Sequence, residues 1–379
     1  MDSINALLEH PSPFGMDINE MRELRFKAVK GSFEHHYSNN KVYRKICEKY
    51  GVTPDDIGNN EDLLYMPLLA SDFFKELSRA KDPNDIIKSA SVPKEEIVTY
   101  FTTSGTTGRP SKYPYNRKSL GIINKSNAKI FYHMADFRQG DYILMLTPPP
   151  AESKTGLVQG MYQCLRELLK DDEQIEFGIK GGEVNFELMI DMVSSIEGRT
   201  RHLYGPPFVY NALADYMLQN DKKLELDKES KAITTGGWKK VEGEVKREQM
   251  YNKMKKTLGI DRKNIRDGLG LTDIMSVILE CGYNHKHVPP WMHVSIRNTK
   301  DLTKEVELKK PGLIAFISPL IDSYPAFIIT GDMGKKSYED KCECDLNGPT
   351  IEYLRRASGM ESRGCAIVLA DALKAMRNV

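Results

Sequence analysis

Apolar and aromatic positions recur at three-to-four-residue spacing from 16 to 50, and Gly51 stands where such a run would stop. The stretch predicts helix, followed by a mixed segment with short helices over 60–90. The period then shortens. EIVTYF (96–101) reads as a strand running into a turn dense in glycine, serine and threonine. A basic stretch, KYPYNRKS, follows, and then a helix from about Leu120 to Met134. Short apolar runs next alternate with longer amphipathic ones. DYILMLTP, RHLYG and KAITTGG read as strands. GLVQGMYQCLRELLK, PPFVYNALADYMLQ (opened by proline) and KVEGEVKREQMYNKMKKTLG read as helices. From about Gly282 the candidates become strands and turns: GLIAFISP, AFIITGD, TIEYLRRA and CAIVLA. Strands alternating with helices predict an α/β fold with a mostly parallel central sheet. The expected division is a large domain over 1–332, with subdivisions near 1–95, 96–280 and 281–332, and a small strand-rich lobe over 333–379.

Composition narrows the function classes. The 379 residues carry 54 lysines and arginines against 53 acids, a net charge of +1, which gives no reason to expect nucleic acid or an anionic membrane as partner. No apolar run approaches the ~18 residues of a membrane span. The N-terminus has early acidic residues and lacks a basic-then-apolar leader pattern, so the expectation is cytoplasmic. Six cysteines are few for a disulfide scaffold at this length. Cys47 and Cys164 occupy helix-core positions, and His35 and His36 read as helix surface.

The densest chemistry lies in Thr102–Lys112, TTSGTTGRPSK. Glycines let backbone N–H groups approach an anion, hydroxyls add donors, and Arg109 and Lys112 supply positive charge. A flexible surface turn would have the same composition. The string is not a Walker loop, since no GK[ST] closes it. It resembles the phosphate-binding signature of the adenylate-forming superfamily, which includes acyl-CoA synthetases and luciferases. The usual TSGTTGxPK form has one residue fewer, because Ser111 here precedes Lys112. YGPPFVYNALADYM, ITTGGWKK, HVPPWMHV and the C-terminal SRGCAIVLA resemble, in order, the acyl-protein synthetase of the bacterial luminescence fatty-acid reductase complex. Phenylacetate-CoA ligase is a neighbouring branch.

The resemblance implies roles. Thr103, Ser104, Gly105, Thr106, Thr107 and Gly108 would cradle the phosphates of ATP, with Lys112 as a catalytic cation. Gly236, Gly237 and Trp238 would wall the adenine or acyl pocket. In RDGLGLTD (266–273), Thr272 would meet the α-phosphate and Asp273 would hold Mg²⁺. Asp332 of FIITGD would accept the ribose hydroxyls, and Arg355 or its neighbour Arg356 would lie beside ribose or phosphate. Full-length superfamily members carry a C-terminal domain of roughly 100 residues. Fewer residues follow Asp332 here, with Lys374 near the end, as in the luminescence enzymes.

Two cysteine groups remain. Cys365 would accept the acyl group as a thioester, with Arg363 favouring its thiolate. A core position in an apolar strand is the alternative, in which case coenzyme A would be the acceptor. Cys281, His287, Cys342 and Cys344, with His285 as a rival, fit tetrahedral structural zinc, an arrangement the phenylacetate-ligase branch resembles. The leading expectation is an acyl-protein synthetase: a carboxylic acid, expected to be a fatty acid, plus ATP and Mg²⁺ gives acyl-AMP, then an acyl thiol, then transfer to a reductase or carrier protein. The alternatives are an acid-CoA ligase and a non-catalytic nucleotide-binding protein.

Overall fold

The computed structural model describes residues 2–79, 83–103, 110–153, 155–170, 174–237 and 246–377. The chain opens with α1 (Asp2–Glu9), α2 (Ile18–Asn39), α3 (Lys41–Tyr50), β1 (Leu69–Ala70) and α4 (Asp72–Leu77), then β2 (Ile97–Thr102), β3 (Lys112–Asn116) and α5 (Arg117–Met134). The middle alternates: β4 (Tyr142–Met145), α6 (Gly156–Leu169), β5 (Ile175–Phe177), β6 (Ile179–Lys180), β7 (Glu183–Val184), α7 (Phe186–Ser194), β8 (Arg201–Gly205), α8 (Pro207–Gln219), β9 (Ala232–Thr235), α9 (Arg247–Leu258) and β10 (Ile265–Leu271). The last third is β11 (Ser276–Glu280), β12 (Lys286–His287), β13 (His293–Arg297), β14 (Gly312–Ile317), β15 (Phe327–Tyr338), β16 (Thr350–Arg356) and α10 (Arg363–Arg377). No helix among the described residues is long and apolar enough to cross a membrane.

The chain forms two compact units, 1–123 with 271–276 and 287–379, and 124–270 with 277–286. The sequence suggested a boundary after Asp332, but β15 runs straight through that position and α10 belongs to the first unit. In the second unit β5, β4, β8, β9 and β10 are all parallel. Helices α7, α8 and α9 contribute Met189, Leu213 and Met254 to a core with Leu144 and Leu203. In the first unit β13, β14, β15 and β16 are antiparallel, and β1 joins β15 in parallel.

The helical run over 16–50 is two helices because Asn40 serves both. Its N–H closes α2 on the His36 carbonyl, and its side chain caps α3 at the Tyr43 N–H. Gly51 then ends α3 at φ 66°, a left-handed position. CAIVLA, expected as a strand, is the first half of α10. A six-residue apolar run has no period of its own, and ADALKAMR continues it as helix. KYPYN, read from the sequence only as part of a basic stretch, is β3, paired with β2 in a hairpin.

His36 corrects another expectation: it is fully buried. Its Nε2 lies 3.1 Å from the Ile321 carbonyl and must donate there, so Nδ1 accepts from Ser91 Oγ at 2.7 Å. Burial, and then the neighbouring His35, push its pKa down to about 3. A depressed imidazole stabilises the fold fully above its unfolded value near 6.5, and this contribution is lost as pH falls toward 3. Between pH 6.5 and 4 the loss is roughly 3 kcal/mol at 1.36 kcal/mol per unit. Urea unfolding across that window should show this slope in the wild type and a shallower one in His36→Gln; parallel slopes would refute the assignment.

Candidate functional site

The β2–β3 hairpin carries the glycine-rich loop. At its base Thr103 N–H donates to the Ser111 carbonyl (3.2 Å) and Ser111 N–H donates to Thr103 Oγ1 (3.0 Å). Ser104, Gly105, Thr106, Thr107, Gly108 and Arg109 lie outside the described residues, as does Trp238. Lys112 is exposed at the head of β3, its backbone N–H on Ser78 Oγ at 2.9 Å.

Sequence reasoning missed Tyr113 and Tyr115, which alternate with Lys112 and are fully buried on the opposite face of β3. Their rings pack with Phe74 and Tyr324. The Tyr113 hydroxyl donates to Asp273 Oδ1. Tyr115 donates to the Tyr324 hydroxyl (2.7 Å), and that hydroxyl donates to the Asp273 carbonyl (3.0 Å). These phenols hold the Thr272–Asp273 turn from both sides of its backbone. Desolvation, opposed by the Tyr113 bond and reinforced by the charge of Asp332, raises the Asp273 pKa to about 6.

Asp332 owes its position to a bulge. Across β14, Ala315 pairs with Ile329 and Leu313 with Met333, so Thr330, Gly331 and Asp332 together oppose Ile314. Extra residues bend a strand and re-aim its side chains. Burial raises the Asp332 pKa, and Arg356 partly offsets that. Arg356 Nη1 lies 3.0 Å from Asp332 Oδ1. Arg355, the other candidate for that place, pairs with Glu361 at 2.7 and 2.8 Å. The register explains the choice: Arg356 stands opposite Asp332, whereas Arg355 stands opposite Met333, and neighbouring residues on a strand face opposite ways. A buried carboxylate whose proton affinity a second carboxylate raises is a setting that a divalent cation relieves.

Cys365 is the third residue of α10 and half-buried. Its thiol donates to the Thr330 carbonyl at 3.4 Å, on the same bulge as Asp332. Helix N-termini favour a thiolate, by about 0.3–1 kcal/mol at exposed sites. Burial and the charges of Asp72 and Asp332 outweigh this and push the pKa up to about 11. Arg363 is exposed and is not among the groups acting on the thiol. Lys49 and Tyr50 of α3 both bind Asp371, tying α10 to the unit.

In the second unit Gly236 and Gly237 follow β9 at the carboxyl edge of the parallel sheet, exposed, with open space where a Cβ would stand. Gly236 is left-handed at φ 76°. RDGLGL forms β10, and Asp267 is held there by Thr234 Oγ1 (2.8 Å) and Lys286 (2.7 Å).

His287, Cys342 and Cys344 bring their ligand atoms within 4.8 Å of one another in the first unit. Cys344 Sγ lies 3.3 Å from His287 Nε2, while the other ring nitrogen is buried without a hydrogen-bond partner. His287 and Cys342 are almost wholly buried. Cys281 precedes His287 by six residues, and its Sγ accepts the Tyr283 N–H at 3.4 Å. Two buried or half-buried thiols and an imidazole form a soft donor set suited to zinc.

A family model described as acyl-protein synthetase, LuxE, matches residues 1–374. The long-chain-fatty-acid–luciferin-component ligase of Vibrio harveyi is 26% identical over 376 residues, 98% of this chain and 94% of that protein. Phenylacetate-coenzyme A ligase of Aromatoleum evansii is 31% identical over 102 residues, 27% of this chain and 22% of that protein. Among solved structures, an open conformation of 2-hydroxyisobutyryl-CoA ligase, in complex with 2-HIB-AMP and CoA, superposes with a TM-score of 0.71 at 16% identity. It covers 90% of this chain and 76% of that one.

Proposed function

The chain belongs to the LuxE acyl-protein synthetase family, whose members are ATP-dependent acid–thiol ligases, and we propose that its acid is a fatty acid and its first acceptor thiol is Cys365. The observation that carries this reading is the bulge of β15, from which Asp332 presents its carboxylate while the Thr330 carbonyl receives the Cys365 thiol.

In the first half-reaction an oxygen of the acid's carboxylate attacks the α-phosphorus of ATP and pyrophosphate leaves. Little proton transfer is needed, so positioning and charge neutralisation dominate. Asp332 accepts the ribose hydroxyls, Arg356 steadies it, and Thr272 meets the α-phosphate. Gly236 and Gly237 line the adenine or acyl pocket. Thr103 and Ser111 close the base of the phosphate loop, and Lys112 is its adjacent cation. Mg²⁺ offsets triphosphate charge when bound, and Asp273, whose ionisation is disfavoured without a cation, is the residue that holds it. In the second half-reaction the Cys365 thiol loses its proton, its sulfur attacks the acyl carbonyl, and AMP departs with the bonding pair. An acyl-accepting reductase or carrier protein then takes the acyl group. Coenzyme A as the acceptor in place of Cys365 is the second reading, favoured by the segment shared with phenylacetate-coenzyme A ligase. Intact-protein mass spectrometry, treated in the Discussion, separates the two.

Cys281 is proposed as the fourth member of the His287, Cys342 and Cys344 set, with zinc in a structural role. Protein purified without chelator should carry about one zinc per chain by elemental analysis. Cys344→Ser should lose the metal and unfold at lower temperature while retaining most ATP–pyrophosphate exchange at 25 °C, because structural zinc contributes folding energy directly. A metal-free wild type would dispose of the assignment.

A further inference from the structure

Helix α2 carries a residue that its own pattern argues against. Its buried stripe runs through Met21, Ala28, Val29 and Phe33, and within it stands Arg25, only 6% exposed. The Nε and Nη1 of Arg25 are buried without a hydrogen-bond partner. Burial and the charge of Arg22 lower its pKa only to about 10, the charge of Glu339 opposing them, so the guanidinium stays cationic at neutral pH. Buried donor atoms of a cation that lack a hydrogen-bond partner among the described residues are costly and call for one.

Arg25 lines a cavity of about 330 Å³ with Arg22, His293, Glu305, Lys336 and Glu339. Two of the acids at this wall are engaged elsewhere. Lys336 Nζ lies 2.8 Å from Glu305 and 2.9 Å from Glu339, and Glu305 also accepts the Ile296 N–H at 2.8 Å. One more lining residue has an unmet ring nitrogen: among the described residues His293 Nε2 is buried without a hydrogen-bond partner. Burial, with the charges of Arg25, Lys336 and Arg297 around its ring, keeps His293 neutral. Unsatisfied donors thus face a polar cavity in which two of the three lining carboxylates, Glu305 and Glu339 but not Glu61, are paired with Lys336. A hydrophobic residue at position 25 would have continued the stripe without that cost.

We propose that this cavity binds a small oxyanion, the phosphoryl or carboxylate group of a metabolite, held by the Nε and Nη1 donors of Arg25 with His293 as a further donor. Charge-assisted hydrogen bonds of this kind are the strong ones, and they satisfy the atoms that the protein leaves unmet. The site uses none of the residues assigned to adenylation and stands whether or not that reading holds.

Calorimetric titration of the full chain tests it, with α,β-methylene-ATP added to fill the adenylation site. One arm uses inorganic phosphate and the other acetate. One saturable site per chain is expected in at least one arm, and the tighter anion tells a phosphoryl from a carboxylate ligand. Arg25→Gln should weaken that binding at least tenfold and His293→Gln several-fold, with acid-dependent ATP–pyrophosphate exchange unchanged in both. Absence of saturable binding in both arms, or unaltered affinity in Arg25→Gln, overturns the proposal. If Arg25→Gln fails to fold, His293→Gln decides in the same way: unaltered affinity there overturns it.

Discussion

Incubation of the full chain with ATP, Mg²⁺ and a matching long-chain acid should add one acyl mass, and Cys365→Ser should add none while its acid-dependent ATP–pyrophosphate exchange continues. The split is expected because adenylation precedes transfer and does not use the thiol. Hydroxylamine should remove the added mass, since thioesters yield to that nucleophile. The structure supplies a second signature. With the Cys365 pKa pushed up to about 11, only a small fraction is thiolate at neutral pH. Acyl transfer in the isolated chain should therefore quicken about tenfold per pH unit from 7 to 10, whereas exchange should not follow that slope. Asp72→Asn removes one of the two charges that oppose the thiolate and should raise the transfer rate at pH 7.5. Acyl-CoA formation without an acyl-protein, on addition of coenzyme A, would make Cys365 a packing residue and move the chain to the CoA-ligase reading.

The second large effect is expected at Asp332. Asp332→Ala should raise the KM for ATP in the exchange reaction by roughly 10- to 150-fold, the equivalent of about 1.5–3 kcal/mol for charge-assisted hydrogen bonds to ribose. Folding should be spared. Its ion-pair partner Arg356 is largely exposed, so no buried charge is stranded by the substitution. Arg355→Ala, which breaks only the exposed pair with Glu361, should leave the KM within about twofold, whereas Arg356→Ala should raise it. Unchanged exchange kinetics in Asp332→Ala would end the ribose assignment.

Much of the fold was legible because its signals are local. A helix stop needs a glycine such as Gly51, and the alternation of strands and helices from Tyr142 to Leu258 is carried by each segment's own period. The cysteine–histidine set was legible for a related reason: soft ligands are rare enough that two close-set groups of them stand out. Where the reading failed, the deciding partner lay far along the chain. CAIVLA has no period in six residues, and α10 is settled by packing against α3 and by Asp371 meeting Lys49. KYPYN contains a proline and reads only as part of a basic stretch, yet Tyr113 and Tyr115 are drawn inward by Phe74 and Tyr324.

The sequence by itself therefore determined the elements of the second unit, the family and the kinds of group available for acid activation, because each rests on residues close together in the chain. Tertiary structure alone decided which arginine faces Asp332, since register across β15 and β16 sets the side on which a residue points. It alone joined Tyr113 to Asp273, 160 positions apart, and burial there raised a carboxylate that composition would leave ordinary. It alone put the thiol of Cys365 on the Thr330 carbonyl and left two donor atoms of Arg25 buried with no hydrogen-bond partner among the described residues. Burial and long-range pairing are properties of the packed chain, and no local pattern of apolar and polar residues encodes them.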